Sequence, residues 1–301
     1  MKRQNLLMSH SDRRFDMINN VILVLLMLLI AYPLWFTLIA SISNPTDVVY
    51  GRVVFWPRRI TLSGYRKVFE NKDIWTGYRN SAVYTLCYTC LSTLASMMAG
   101  YAVSRKSLPG RGALLKAMVF TMYFSGGLIP SYLVNKTLGL VGNPLVMILV
   151  GVGSVNHMLI IRAFINGNIP EDLFEAASLD GCTHFQYFFK VVLPLSGAVI
   201  AVIGLYNASG CWNAWFNAMI YLRDSTTYPL QLVLRNLLFN ATQLMQAANT
   251  VGTGGDYTAE VMNLESIKYG IIIVASVPML ILYPFVQKFF VKGVMVGAIK
   301  G

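Results

Sequence analysis

Charge is what this sequence has least of. Of its 301 residues only 12% are Asp, Glu, Lys or Arg while 55% are hydrophobic, about half the charged share of an ordinary soluble domain. Apolar runs recur along the whole chain, so no large soluble domain fits between them. Cysteine is also scarce. Cys87 and Cys90 form a C-x-x-C inside an apolar run, and Cys182 and Cys211 stand alone, which excludes a disulfide framework and predicts buried, inert thiols. Catalytic signatures are missing too. There is no G-x-x-x-x-G-K-[ST] phosphate loop, no H-E-x-x-H, no G-x-S-x-G and no metal-spaced His/Cys set. The chain is therefore expected to be no enzyme, to bind no cofactor or metal itself, and to leave any ATP to another polypeptide. No acid pair or acid–histidine relay lies within the apolar runs, which argues against proton-coupled transport.

What is present is helix of membrane length. Six candidate spans fall at about 18–42, 78–103, 114–134, 144–166, 196–221 and 267–290, each near the 20 apolar residues a bilayer crossing needs. The predicted fold class is all-α and integral to the membrane, a single domain over 1–301. The run from Val21 to Ile42 is too long for a cleaved signal peptide and is expected to stay as an anchor. Lys2, Arg3, Arg13 and Arg14 precede the first span, and Arg105, Lys106, Arg111 and Lys116 crowd the second connection. By the positive-inside bias both termini and the 167–195 segment are cytoplasmic, as Lys288, Lys292 and Lys300 also suggest. The net charge of +11 suits anionic lipid headgroups better than nucleic acid, which is not expected as a partner.

Two long connections then lie outside. The first, about 43–77, carries Pro45, Gly51, Pro57 and Gly64 and is expected to hold short interfacial helices, with Trp56 and Trp75 at headgroup depth. It runs against the charge bias, because Arg52, Arg58, Arg59, Arg66, Lys67, Lys72 and Arg79 cluster there against Asp47, Glu70 and Asp73. The second, about 222–266, is polar and includes the flexible run Gly252-Thr253-Gly254-Gly255.

The most informative stretch runs from Glu175-Ala176-Ala177 through Asp180-Gly181 to Leu193-Pro194. Pro170, Glu171 and Asp172 suit a helix start. Gly181 permits the left-handed turn that stops that helix. Thr183 and Gln186 form a capping box for a second helix, with Pro194 delimiting it downstream. The product is a helix-turn-helix knob whose small Ala176 and Ala177, charged Glu175 and apolar Leu173, Phe174 and Leu179 could fit a groove on another protein. An ordinary interhelical loop fits the spacing equally.

This stretch resembles the EAA loop of ABC-importer permeases, in Glu175-Ala176-Ala177, Gly181, Val191 and Leu193-Pro194, with valine where isoleucine is commoner. Asn80-Ser81, Tyr101-Ala102-Val103-Ser104-Arg105, Gly126 to Pro130, Trp212-Asn213, Pro229-Leu230-Gln231 and the run from Gly293 to Gly301 are similar to the carbohydrate-uptake class. The Gly-Gly-Leu-Ile-Pro-Ser-Tyr run is most similar to permeases for complex oligosaccharides, including the second permease of alginate importers. The resemblance implies a six-helix type I importer permease in a bacterial inner membrane. Its partners would be a second homologous permease, two ATPase subunits carrying ATP-Mg, and an extracytoplasmic solute-binding protein. It also implies that Glu175, Ala176, Ala177, Asp180 and Gly181 form the coupling helix that docks an ATPase. Alginate or another acidic oligosaccharide is the expected substrate, with neutral oligosaccharides as the alternative, and the basic outer cluster could concentrate a polyanion.

Other polar residues leave two readings open. Tyr206, Gly210, Asn213 and Asn217 share a face at helical spacing and could line a sugar path or simply pack helices. Asn156 and His157, with Arg162 near the inner end of that span, are functional candidates as polar groups at membrane depth. An isolated histidine serves equally well in interhelical hydrogen bonding, and an intramembrane enzyme using His157 or an energy-independent channel subunit are the competing functions.

Overall fold

The computed structural model describes residues 10–251, 267–284 and 287, all in helices, turns and loops. Its residues group into two compact units, Met1–Glu70 with Leu238–Ala275 and Asn71–Leu237 with Ser276–Gly301.

In the first unit, α1 (His10–Ser41) carries the most apolar segment, with Val21 to Ile30 half or more exposed. Such a face is stable only against lipid or another apolar surface. Two short helices follow, α2 (Pro45–Val49) and α3 (Ser63–Glu70), as the Pro/Gly punctuation predicts. The loop between them folds back on α1: Trp35 Nε1 donates to the Phe55 carbonyl at 2.9 Å and the Thr61 amide to the Ile42 carbonyl at 2.9 Å. Trp56 is exposed. Asp47, itself buried, accepts from Arg59 Nε at 2.6 Å and Nη2 at 2.8 Å and lies 3.6 Å from Arg52. The Arg59 hydrogen bonds, aided by the two cationic charges and opposed by desolvation, hold the Asp47 carboxyl below its ordinary range. Arg66 pairs with Glu70. At least three of the seven basic side chains, Arg52, Arg59 and Arg66, are thus already engaged with acids.

The second unit is organised on α4 (Lys72–Ser104), which starts six residues before the expected span and includes Trp75. Its buried residues Ser81, Tyr84, Ser92, Ser96, Met97, Gly100 and Tyr101 form one stripe at three- and four-residue spacing, and the small Ser92, Ser96 and Gly100 let neighbours approach closely. At Gly100 a Cβ would sit 2.6 Å from Ile161 Cγ2. The stripe packs against α8 (Val155–Asn168) and α12 (Gly197–Trp212). Cys87 and Cys90 lie on the exposed side of α4, and Cys182 and Cys211 are half-buried. All four are free thiols, but the expected burial does not hold, because the C-x-x-C pair faces away from the small-residue stripe.

Among the described residues three helices are long and apolar enough to cross a membrane unbroken: α1, α4 and Ile267–Pro284. The other expected spans are interrupted. The one near 114–134 is α5 (Arg111–Tyr123) and α6 (Leu128–Thr137), bent by 113° around Ser125-Gly126-Gly127. The one near 144–166 is the single turn α7 (Val146–Leu149), an irregular stretch, and α8. The one near 196–221 breaks at Asn213-Ala214 between α12 and α13 (Trp215–Tyr221). Hydropathy does not register these breaks, because glycine and a lone asparagine barely lower the mean. Beyond α13 the expected loop also differs: Leu230–Val251 is a 22-residue helix, α14. Asn80 Nδ2 donates to the Thr226 carbonyl at 2.8 Å, and the Leu230 amide donates to Ser81 Oγ at 2.8 Å. The Asn80-Ser81 and Pro229-Leu230-Gln231 runs therefore meet and hold its start. Gly252 to Gly255, the run from Gly293 to Gly301, and Lys288, Lys292 and Lys300 lie outside the described residues.

Candidate functional site

The knob forms much as its caps dictate. After buried Ile169, Glu171 serves as N-cap, its carbonyl accepting from Phe174 and Glu175, so Pro170 sits one residue before the cap and not in the first turn. α9 (Asp172–Leu179) ends in a Schellman turn: the Cys182 amide donates to the Ala177 carbonyl at 2.9 Å and the Gly181 amide to Ser178 at 3.0 Å, with Gly181 at φ +76°. The capping box is complete, with Thr183 N to Gln186 Oε1 at 3.0 Å and Gln186 N to Thr183 Oγ1 at 3.3 Å. Beyond α10 (His184–Tyr187) the chain does not stop at Pro194. A π-turn over Phe188–Val192 lets the Leu193 amide reach the Phe188 carbonyl, and Pro194 lies inside the next turn, α11 (Leu193–Leu195). A widened turn is one way a helix absorbs a proline that offers no amide. The 83° bend falls at Ser196 instead.

Glu175, Ala176, Asp180 and Gly181 are exposed on this knob, whereas Ala177 is half-buried and packs with Cys182 against the core. Leu179 is 90% exposed, with Leu173 and Phe185 beside it in sequence also exposed. An apolar projection of this kind suits a protein surface.

Nothing in the spacing singled out Arg105 beyond its charge, yet it anchors the knob. Its side chain is only 8% exposed and lies 3.4 Å from Glu171, the α9 N-cap. Its guanidinium sits 5.1, 5.2 and 5.8 Å from the ring centroids of Tyr101, Phe174 and Tyr187. His184 stacks on Phe174 at 4.7 Å, with Nδ1 3.3 Å from the Tyr101 hydroxyl. One cation thus ties the end of α4 to both helices of the knob.

A second feature lies among the helix breaks. A cavity of about 280 Å³ is lined by Tyr88 of α4, Gly151, His157 of α8, Tyr206, Asn207, Gly210 and Cys211 of α12, and Ala214 and Asn217 past its end. His157 and Tyr206 stack with ring centroids 6.0 Å apart. The expected stripe is therefore split: Tyr206, Gly210 and Asn217 share the cavity, joined by His157, while Asn213 and Asn156 do not line it. Asn213 caps α12 and donates through Nδ2 to the Ser209 carbonyl, and the break after it turns Asn217 back toward Tyr206. Behind the cavity wall, Asn207 accepts from Ser92 Oγ and donates to Thr93 Oγ1, a buried bridge between α12 and α4. Asn207 and Tyr88 went unremarked in the sequence because a lone amide or tyrosine in an apolar run marks nothing until its neighbours are known. Among the described residues no group of three His, Cys, Asp or Glu side chains could hold a metal.

Broken helices around a polar cavity, with a capped apolar knob between the fourth and fifth expected spans, are the parts of a transporter's membrane subunit. The chain belongs to the family of binding-protein-dependent transport system inner membrane components, whose model matches residues 74–296. It is 35% identical over 290 residues to a polygalacturonan/rhamnogalacturonan transport system permease protein of Bacillus subtilis, covering 96% of this chain and 99% of that one. An arabinooligosaccharides transport system permease protein of Halalkalibacterium halodurans is 27% identical, over 90% and 91% of the two chains. Among solved structures, a chain of a bacterial ABC transporter involved in the import of the acidic polysaccharide alginate superposes with a TM-score of 0.83 at 30% identity, covering 94% of this chain and 99% of that one. The fold is thus the all-α type I importer permease fold, and the protein is an inner-membrane transport subunit.

Proposed function

We propose that this chain acts as one membrane domain over 1–301 and forms half of the translocation path of an ATP-driven oligosaccharide importer, with an acidic oligosaccharide of the polyuronate class as substrate. A second permease, two ATPase subunits that bind ATP-Mg, and an extracytoplasmic binding protein complete the assembly. Both termini and the 167–195 knob face the cytoplasm. Glu175, Ala176, Ala177, Asp180 and Gly181 form the ATPase-docking element, and Tyr206, His157 and Asn217 border the sugar path, with Asn213 and Asn156 nearby in sequence.

The observation that carries this reading is the knob itself: a doubly capped projection with Leu179 90% exposed, beside the charged Glu175, in a chain of this family. The polyuronate class is supported by the relatives named for polygalacturonan and alginate. The net basic segment around Arg52 to Arg79 adds to it, although Asp47 and Glu70 already engage part of that charge. A relative named for arabinooligosaccharides supports the neutral alternative. Labelling of Ser178→Cys with an impermeant maleimide tests the docking assignment. The site should be silent from outside intact cells, reactive from the cytoplasmic side, and shielded when the ATPase is bound. Outside labelling overturns the topology and the docking role together.

A further inference from the structure

The cavity beside α12 has a composition that bears on what it recognises. Non-helical backbone at membrane depth persists only where protein buries it or where it lines a cavity, and here Gly151 and Ala214, from two of the breaks, both form its wall. Its polar groups divide into two sets. Asn207 is held by Ser92 and Thr93, and the Tyr88 hydroxyl donates to the Gly151 carbonyl at 2.9 Å, so these are committed to the wall. His157 Nδ1 is fully buried and its ring interacts with Asn207, so it too belongs to the wall. No protein hydrogen bond is found for the Tyr206 hydroxyl or the Asn217 amide among the described residues, and both side chains are exposed. Two uncommitted polar groups, Tyr206 and Asn217, and two aromatic rings thus border one space, at about the lower size limit of small-molecule pockets. Among the described residues no Asp, Glu, Lys or Arg lines it.

From this juxtaposition we infer that the cavity is a subsite for a single sugar ring, read through its hydroxyls by Asn217 and Tyr206 and through its flat face by the aromatic rings, and indifferent to whether that ring carries a carboxylate. The inference rests on the importer reading and refines it. Selection for acidic glycans then lies elsewhere, in the binding protein or the basic segment. Without a fixed charge the subsite also releases each ring easily, as a conducting path requires.

Cys211 lines the same cavity and is a native reporter. In the assembled transporter in lipid nanodiscs, with Cys87, Cys90 and Cys182 replaced by serine, N-ethylmaleimide alkylation of Cys211 is timed with uronate and neutral oligosaccharides of equal length. Both should slow alkylation with half-protecting concentrations within about tenfold of each other, a difference of about 1.4 kcal/mol. Asn217→Leu and Tyr206→Ala should remove the protection, read in each variant as the ratio of its own alkylation rates with and without glycan. Absence of protection by either glycan, protection by the acidic one alone, or protection that survives both substitutions overturns the subsite. Binding-protein-dependent uptake in the same cysteine background separates the two readings. Uptake without protection removes the subsite alone, and absence of both uptake and stimulated ATP hydrolysis removes the importer reading as well.

Discussion

Gly181 and Gly100 show how differently two glycines can be required. At Gly181 the backbone lies at φ +76°, yet a Cβ there would meet nothing within 4 Å. The cost of a side chain is therefore conformational alone. Gly181→Ala should cost about 1 kcal/mol and retain ATPase association with reduced transport, while Gly181→Val, stiffer at the backbone, should uncouple more fully. Sugar transported per ATP hydrolysed measures this, and equal, wild-type values for both would remove the turn from the coupling element. Gly100 has ordinary dihedrals, but its missing Cβ is where α8 passes. Gly100→Leu should destabilise the helix packing by about 3 kcal/mol, whereas Gly112→Leu, with open space at its Cβ, should not. Thermal unfolding in detergent compares them.

Asp47 adds a pH dependence outside the spans. Because its folded-state carboxyl is held below the ordinary range by Arg59 and Arg52, its contribution is complete above the unfolded pKa of about 3.9. It is lost as pH falls through the lowered folded value. Amide exchange over residues 52–61 should accelerate only below that ordinary value in the wild type, and should be fast at all pH values in Asp47→Asn.

At the scale of elements, Arg105 joins the knob to the end of α4. Arg105→Met keeps the length of the side chain and removes the charge from among Tyr101, Phe174 and Tyr187. The lost cation–π and ion-pair terms amount to about 2 kcal/mol for a desolvated site. Insertion and ATPase association should survive while transport per ATP falls, with Arg105→Lys restoring part of it. A purely structural role would lower assembly and leave the ratio of transport to hydrolysis unchanged in what assembles. The same α4 carries Tyr88 to the cavity and Asn80-Ser81 to the start of α14, so one continuous helix runs from the knob to the cavity.

For the whole molecule, the acidic-substrate reading makes a separable prediction. In vesicles of neutral lipid with the binding protein and ATPases present, uptake should favour uronate oligomers over neutral ones of equal length. The preference should weaken as salt shortens the Debye length from about 10 Å at 0.1 M. Preferential uptake of neutral glucans or xylans would sink that substrate class and leave the importer intact.

The primary sequence by itself determined the class, the apolar character of the chain and the architecture of the knob. Those depend on local terms: run length, a Thr-x-x-Gln capping box, a glycine at a Schellman position, and the Glu-Ala-Ala pattern that resembles a known loop. Tertiary structure decided what local terms leave open. Three of the six apolar segments are broken, two of them at the wall of a cavity, where backbone can be left without helical pairing, and hydropathy averages over that wall. Arg105 reads as one more cytoplasmic cation until α4, α9 and α10 converge on it. The stripe of Tyr206, Asn213 and Asn217 looks continuous until the break at Asn213-Ala214 turns the last of them back toward the cavity. Which groups are free there depends on partners more than a hundred residues away, as with Asn207 and Ser92, and such pairing exists only once the helices have packed.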